Sequence, residues 1–367
     1  MKPQFERRLA ILRNNMLDAG QDALLIFSLD NLRYLINYSG EAAYGIVTQC
    51  GAYLITDYRF LEQAQQECVN GKIDCQIICR DRDRQTLGAV INGVLKRAQA
   101  HRIVFEHEYI SVSMWQAICI DNPGLVFTPA QAMLDSQRKI KDEWEIAQIR
   151  QAAAISDSAL AILLPQLKLG VSEREMALEL DYQMQRLGSE GISFTTILGF
   201  GERSALPHCI PSARRLQEGD LIVIDFGAVI NGYRSDMTRS FVAGEADARQ
   251  QAMFDTVYAA QSAALASLHA GLAAHDADAA ANAILKASEF AAYAGLGLGH
   301  GLGIKLHEQP FMGPHCQDIL QTNYVVTIEP GIYIPGYGGI RLEDDVQITP
   351  DGYIALSHAP KQFEVAI

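Results

Sequence analysis

Apolar residues recur at spacings of three and four through residues 4–18, placing Phe5, Leu9, Leu12 and Met16 on one face. That period predicts an amphipathic helix, with Gly20 closing it. The period then changes. Ala23–Phe27 and Gly51–Asp57 are short apolar runs that read as strands, Cys75–Cys79 reads as extended, and Arg102–Glu106 as a further strand. Arg59–Glu67, Leu87–Ala98 and Val112–Ile120 carry helical spacing between them. Strands alternating with helices predict a sheet with helices packed on it, an α/β domain over residues 1–134. The polar run Asp135–Glu145 marks the boundary to a second domain, residues 135–367, and is expected to form the solvated start of a helix reaching about Leu164.

Beyond the boundary, Ser172 and Glu175 have the spacing of a capping box, which satisfies free backbone N–H groups at a helix start. Met176, Leu180, Met184 and Leu187 follow as an apolar stripe of the kind that faces a core. Ile192–Phe200 reads as extended, and residues 272–294 as an alanine-rich helix ending near Gly295. In Leu221–Phe226 the run is so apolar that Asp225 stands out. Asn231-Gly232 is a hairpin turn signal, and Tyr233–Val242 is the return strand, carrying Asp236. With a two-residue loop, Ile230 pairs with Tyr233 and Asp225 faces Thr238. Asp236 is two residues from that partner, so the two aspartates become diagonal neighbours on one face.

The same design recurs. Tyr324–Glu329 is an apolar strand ending in an acid, Pro335–Gly339 a loop, and Ile340–Ile348 a return strand. Arg341 and Glu343, two apart, share a face. Asp344 points to the other side, as a structural or solvated residue, and Asp345 lies a step beyond Glu343 on its face. Leu216–Gly227 aligns without gaps on Leu320–Gly331, setting Asp225 on Glu329 and, with a longer second loop, Asp236 on Glu343. Gly199-Phe200-Gly201 roughly matches Gly299-His300-Gly301, and His208 falls close to His307. A duplicated half-domain would bring two similar hairpins together, each with an acid pair.

The net charge of -13 argues against a nucleic-acid groove. An odd set of seven scattered cysteines is no disulfide framework, and Cys75 and Cys79 read as ordinary buried thiols. The start, MKPQFERRLAILRNN, carries charges where a leader needs an apolar run, and no apolar stretch is long enough to span a bilayer. A cytoplasmic protein with no membrane partner is the expectation.

The stretch Gly299–Pro310 sets His300 and His307 seven residues apart among glycines. Alone, it reads first as a glycine-rich turn with a histidine satisfied in the core. Beside Asp225, Asp236, Glu329 and Glu343 it suggests a two-metal site. Four carboxylates and one imidazole are an oxygen-rich set without the thiolates of structural zinc sites. It favours Mn²⁺, with Co²⁺, Zn²⁺ or Fe²⁺ also accommodated. Metal-assisted hydrolysis is the matching reaction class.

These residues carry a family resemblance. VIDFG with Asp225, SDMTRSF with Asp236, GHGLG with His300, TIEPG with Glu329 and GGIRLED with Glu343 resemble the five metal-ligand motifs of the pita-bread metallopeptidases. That family includes Xaa-Pro aminopeptidases, Xaa-Pro dipeptidases (prolidases) and methionine aminopeptidases. DNLRYLINYSG and LITDYRFLEQA are similar to the creatinase-type amino-terminal domain of the Xaa-Pro branch. The resemblance implies an α+β catalytic domain with an internal pseudo-duplication and a homodimer acting on short proline-containing peptides. It further implies two metals bridging a hydroxide that attacks the carbonyl carbon before proline. By the same resemblance Glu329 also shuttles the proton, and His208 in ALPH and His307 in LHEQP hold the substrate and stabilise the tetrahedral intermediate. Arg341 would orient Glu343 or bind a substrate carboxylate. Many proline-directed members carry a histidine four residues before the ligand histidine; here that position is Leu296. An aminopeptidase, a dipeptidase, a creatinase-like hydrolase and a non-catalytic binding protein all remain compatible with this fold.

Overall fold

The computed structural model describes residues 3–130 and 132–367; Met1 and Lys2, which begin the segment weighed above against a leader, lie outside them. The chain divides into two compact units, Met1–Gln137 and Arg138–Ile367. No helix among the described residues is long and apolar enough to cross a membrane.

In the first unit the helix Phe5–Asp18 buries Phe5, Leu9, Leu12 and Met16, the face expected from their spacing. A six-stranded sheet runs in the order Cys75–Cys79, Ala52–Thr56, Tyr44–Thr48, Ala23–Ile26, Arg102–Phe105, Val126–Pro129. Tyr44–Thr48 is antiparallel to both its neighbours, and the other pairs are parallel. The strands Tyr44–Thr48 and Val126–Pro129 and the helix Leu29–Ile36 were not expected from the pattern. The Cys75–Cys79 strand lies at the sheet's edge, paired on one side only, and none of its residues is fully buried. Cys79 is exposed and Cys75 only half-buried, which corrects their reading as buried thiols.

The second unit repeats one plan twice. Helices Glu143–Leu163 and Glu173–Arg186 share a core with the sheet formed by Ile197–Phe200, Leu221–Phe226, Met237–Ala243 and Glu364–Val365. Helices Ala248–Ser267 and Ala274–Ala287 share a second core with the sheet Glu308–Met312, Gly299–Gly301, Val325–Ile328, Asp344–Thr349, Gly352–Ala355. The aligned segments of the sequence repeat hold equivalent strands, each pairing antiparallel with its return strand. Ser172 and Glu175 form the expected capping box, and Met176, Leu180 and Met184 are buried. Leu187, at the cap, is exposed.

Three expectations need correction, and one helix was not foreseen. The polar run 135–145 is not one solvated helix start. It spans the helix Met133–Lys139, a break, and the first turn of a helix capped by Asp142. Arg138 and Lys141 are buried because both engage the buried Glu308, and Glu145 is buried where it accepts from the Tyr233 hydroxyl at 2.9 Å. The helix Ala248–Ser267 went unseen because its buried face mixes Met253, Phe254, Val257 and Leu265 with Gln250 and Gln261, and alanines lie on its buried and exposed sides alike, although Asp247 and Gln250 form a capping box that could have marked it. The alanine-rich helix stops at Ala287, where Ser288 adopts extended backbone. Only Ile197–Phe200 of the expected 192–200 run is strand.

Candidate metal centre

Each hairpin of the second unit is broken by a short ribbon. Val229–Ile230 pairs with Tyr233–Arg234 beyond the first sheet, and Gly331–Ile334 with Gly338–Arg341 beyond the second. The expected register holds, with Tyr233 opposite Ile230 and Thr238 opposite Asp225. The break falls beside the acids. Asp236 directly precedes its return strand and Glu343 directly precedes its own, while Glu329 directly follows the strand Val325–Ile328. These junctions leave the acids out of the regular ladder and aimed at one another.

His300 arrives from the strand Gly299–Gly301, packed so closely that a Cβ on Gly299 would collide with the Thr327 carbonyl and one on Gly301 with the Gln309 carbonyl. Its Nε2 lies 3.5 Å from Asp236 Oδ2 and 3.5 Å from Glu329 Oε1. Its Nδ1 is 3.0 Å from the Gly301 carbonyl, which only accepts, so Nδ1 carries the proton and Nε2 presents a lone pair. Ligand atoms of Asp236, His300 and Glu343 lie within 4.8 Å of one another. Asp225 Oδ1 and Asp236 Oδ1 are buried without a hydrogen-bond partner. Buried carboxylate oxygens without donors, facing an imidazole lone pair, make a site that suits a divalent cation.

The profile of metallopeptidase family M24 matches residues 147–350, and that of the creatinase/prolidase N-terminal domain matches residues 8–140. The chain belongs to metallopeptidase family M24. It is 33% identical over 358 residues to an uncharacterized peptidase of Bacillus subtilis, covering 97% of this chain and 99% of the relative. The structure of an Xaa-Pro dipeptidase from Bacillus anthracis superposes with a TM-score of 0.93 at 31% identity, covering 99% of this chain and 100% of the other. That of an X-Pro aminopeptidase from Thermotoga maritima superposes with a TM-score of 0.88 at 31% identity, covering 96% and 100%. The architecture is therefore a creatinase-type domain followed by a pita-bread domain, and the protein is a metal-dependent peptidase.

In this metallopeptidase burial pushes the Asp236 and Glu343 carboxyls well above the usual carboxylate range, and neighbouring acids push them further. Burial also raises Glu329, against the opposing pull of His300 and Arg341. Partial burial and the neighbouring His300 and His208 rings lower His307. The His307 ring meets His300 edge-on, with centroids 4.4 Å apart. His208 and His307 both line the pocket over the acids.

Arg341 is almost wholly engaged by the protein. Its Nη2 donates to Asp225 Oδ2 at 2.5 Å, Nε to Thr238 Oγ1 at 2.9 Å, and Nη1 to Tyr333 Oη at 2.7 Å and the Pro207 carbonyl at 3.2 Å. Thr238 Oγ1 in turn donates to Glu343 Oε2 at 2.6 Å. Arg341 thus touches Asp225 directly and reaches Glu343 only through Thr238.

Sequence reasoning missed Thr238 and Tyr333 as parts of the site. Thr238 could have been found, since the hairpin register already put it opposite Asp225. Asp345 is fully buried, and its Oδ2 accepts the backbone N–H of Asp236 at 3.0 Å. Asp344 is structural rather than solvated: it is buried and paired with Arg239 at 2.7 Å and Lys361 at 2.6 Å.

Proposed function

We propose that this chain is a dinuclear-metal exopeptidase that hydrolyses the bond between an amino-terminal residue and proline in short peptides. The reading is carried by the convergence of Asp225, Asp236, His300, Glu329 and Glu343 around carboxylate oxygens that have no donor of their own. The Xaa-Pro names of both similar structures support the substrate class. The dipeptidase name supports an Xaa-Pro dipeptidase as the second reading.

Asp225, Asp236, His300, Glu329 and Glu343 would hold two divalent ions, Mn²⁺ first among the candidates for this oxygen-rich set. Bound there, the ions supply Lewis-acid polarisation of the carbonyl and a water acidic enough to attack at neutral pH. The protein's own groups do the rest. Glu329, the most accessible of the acids, takes the proton of the attacking water and passes it to the proline nitrogen as the bond breaks. His208 and His307 line the pocket, where they position the substrate and donate hydrogen bonds to the oxygen that gains charge. Arg341 keeps Asp225 in place. All seven cysteines are free, which supports a reducing compartment and hence the cytoplasm. We read the working form as a homodimer.

The test is to strip the protein of metal, restore Mn²⁺, and follow an Xaa-Pro-Xaa tripeptide by mass spectrometry. Cleavage before proline should vanish with the metal and return with it. A protein that binds no divalent metal by calorimetry would sink the reading.

A further inference from the structure

Asp345 is fully buried, yet it does not line the pocket over the acids and is not one of the five candidate ligands. Its side chain makes a single hydrogen bond among the described residues. Oδ2 accepts the backbone N–H of Asp236 at 3.0 Å, and Oδ1 has no partner. A carboxylate buried with one oxygen unpaired carries a desolvation cost. What it secures is the backbone of an acid in the cluster.

The duplicated hairpins show why the contact exists. Asp236 falls on Glu343 in the repeat, so Thr238, two residues on, falls on Asp345. Asp236 and Glu343 each directly precede a return strand, where the N–H lies outside the regular ladder. Each N–H is met by the residue two positions beyond the equivalent acid in the other hairpin. Glu343 N–H donates to the Thr238 carbonyl at 3.1 Å, and Asp236 N–H to the Asp345 side chain.

The exchange is uneven, carbonyl on one side and carboxylate on the other, and the sheets explain it. The strand Asp344–Thr349 has a further neighbour, Gly352–Ala355, and just beyond that neighbour Leu356 N–H takes the Asp345 carbonyl at 2.8 Å. The outer neighbour of Met237–Ala243 pairs only with Val242 and Ala243, which leaves the Thr238 carbonyl for Glu343. With its carbonyl engaged, residue 345 meets Asp236 through a side chain that accepts. Its own N–H donates to Ser357 Oγ at 3.1 Å, so its backbone is held at both groups. Thr327 lies opposite Asp345 across the strand pair and shares its face. The Thr327 hydroxyl accepts the His300 backbone N–H at 3.1 Å and donates to Glu329 Oε1 at 3.2 Å. One face of one strand pair thus supports Asp236, His300 and Glu329.

Resting on the proposed dinuclear centre, we propose that Asp345 is a positioning residue for metal binding, its Oδ2 fixing the backbone of Asp236 so that the Asp236 carboxylate is aimed into the cluster.

The test titrates metal-free protein with Mn²⁺ by calorimetry and compares wild type, Asp345→Leu and Asp345→Asn. Leucine keeps the size and leaves the Asp236 N–H without an acceptor, while asparagine keeps a carbonyl oxygen for it. Asp345→Leu, folded by circular dichroism, should bind Mn²⁺ about tenfold or more weakly, the scale for loss of a group that orients a ligand. Asp345→Asn should restore binding close to wild type. A merely structural residue would lower the melting temperature of the leucine variant and leave the Mn²⁺ affinity of the folded protein unchanged; that result overturns the inference. So does a loss in Asp345→Asn as large as in Asp345→Leu, which would credit the charge rather than the accepted bond. If Asp345→Leu does not fold, Asp345→Ser, whose hydroxyl is one bond shorter than the carboxylate, takes its place under the same criteria. In each of these outcomes wild type binds Mn²⁺ and the proposed function stands. Wild type that binds no Mn²⁺ overturns the proposed function and this inference together.

Discussion

Glu308 is as deeply buried as Glu343, 5% exposed against 1%, yet the two carboxyls are pushed in opposite directions. Burial raises both, but at Glu308 the charges of Lys141 and then Arg138 overcome it and hold the carboxyl below its ordinary value. Lys141 Nζ and Arg138 Nε each lie 3.2 Å from it, and the Lys305 backbone N–H donates to it at 3.1 Å. At Glu343 the neighbours are Glu329 and Asp225, and burial with their charges outweighs the pull of Arg341 and of the Thr238 hydroxyl. Two acid sites in one unit therefore teach different things. The Glu308 site is complete as folded and belongs to the architecture. The Glu343 cluster is incomplete by its own electrostatics, and the missing component is positive charge.

The largest effect should come from removing a charge in the incomplete cluster. Asp236→Asn should lower kcat/KM by about 10³-fold, as for loss of a group that stabilises transition-state charge. In metal-free form the same variant should melt above wild type at neutral pH, because it relieves repulsion. A lowered metal-free melting temperature would break the contrast. Glu308→Gln should do the reverse. Removing the one charge that both Arg138 and Lys141 engage should cost about 3 kcal/mol of stability in urea unfolding. A loss too small to measure would mean that the pair is not structural.

The pH dependence sharpens the comparison, with opposite signs at the two sites. The carboxyls of Asp236, Glu343 and Glu329 are raised, so their contribution to metal-free stability is present below the ordinary carboxylate range and lost as pH rises toward their folded values. Glu308 is lowered, so its contribution is present above that range and lost as pH falls through its folded value. Mn²⁺ should therefore raise the melting temperature more at pH 8 than at pH 5, as read by scanning fluorimetry. Equal shifts at both pH values would count against an unbalanced cluster. The smallest effect is expected at Thr238→Val, which removes the hydroxyl between Arg341 and Glu343. A roughly tenfold loss of metal affinity by calorimetry is the expected size for a group that orients a ligand.

Much of the catalytic unit is legible in the chain because its acids interrupt apolar strands, and an acid in such a run has few innocent explanations. The repeat of Leu216–Gly227 on Leu320–Gly331 was readable for the same reason, and the turn at Asn231-Gly232 set a register that the structure keeps. The helix Ala248–Ser267 was hidden because alanine carries little apolar contrast, and the strands Tyr44–Thr48 and Val126–Pro129 because short runs give period-two alternation little room. The polar run 135–145 misled for a deeper reason. Charged residues read as solvated unless a distant partner is known, and Glu308 lies far along the chain from Arg138 and Lys141.

The sequence by itself determined the kinds of chemistry present: five donors of metal-ligand type, two further histidines, a duplicated hairpin and the spacing that keeps each acid pair on one face. These follow from local period and residue type, which need no knowledge of the fold. Only the tertiary structure decided which charges are balanced. It placed Lys141 and Arg138 on Glu308, turned Arg341 toward Asp225, and left Asp225 Oδ1 and Asp236 Oδ1 without donors. Pairing of buried charges depends on distances of a few ångströms between segments far apart in the chain, and those distances exist only once both halves of the unit have packed.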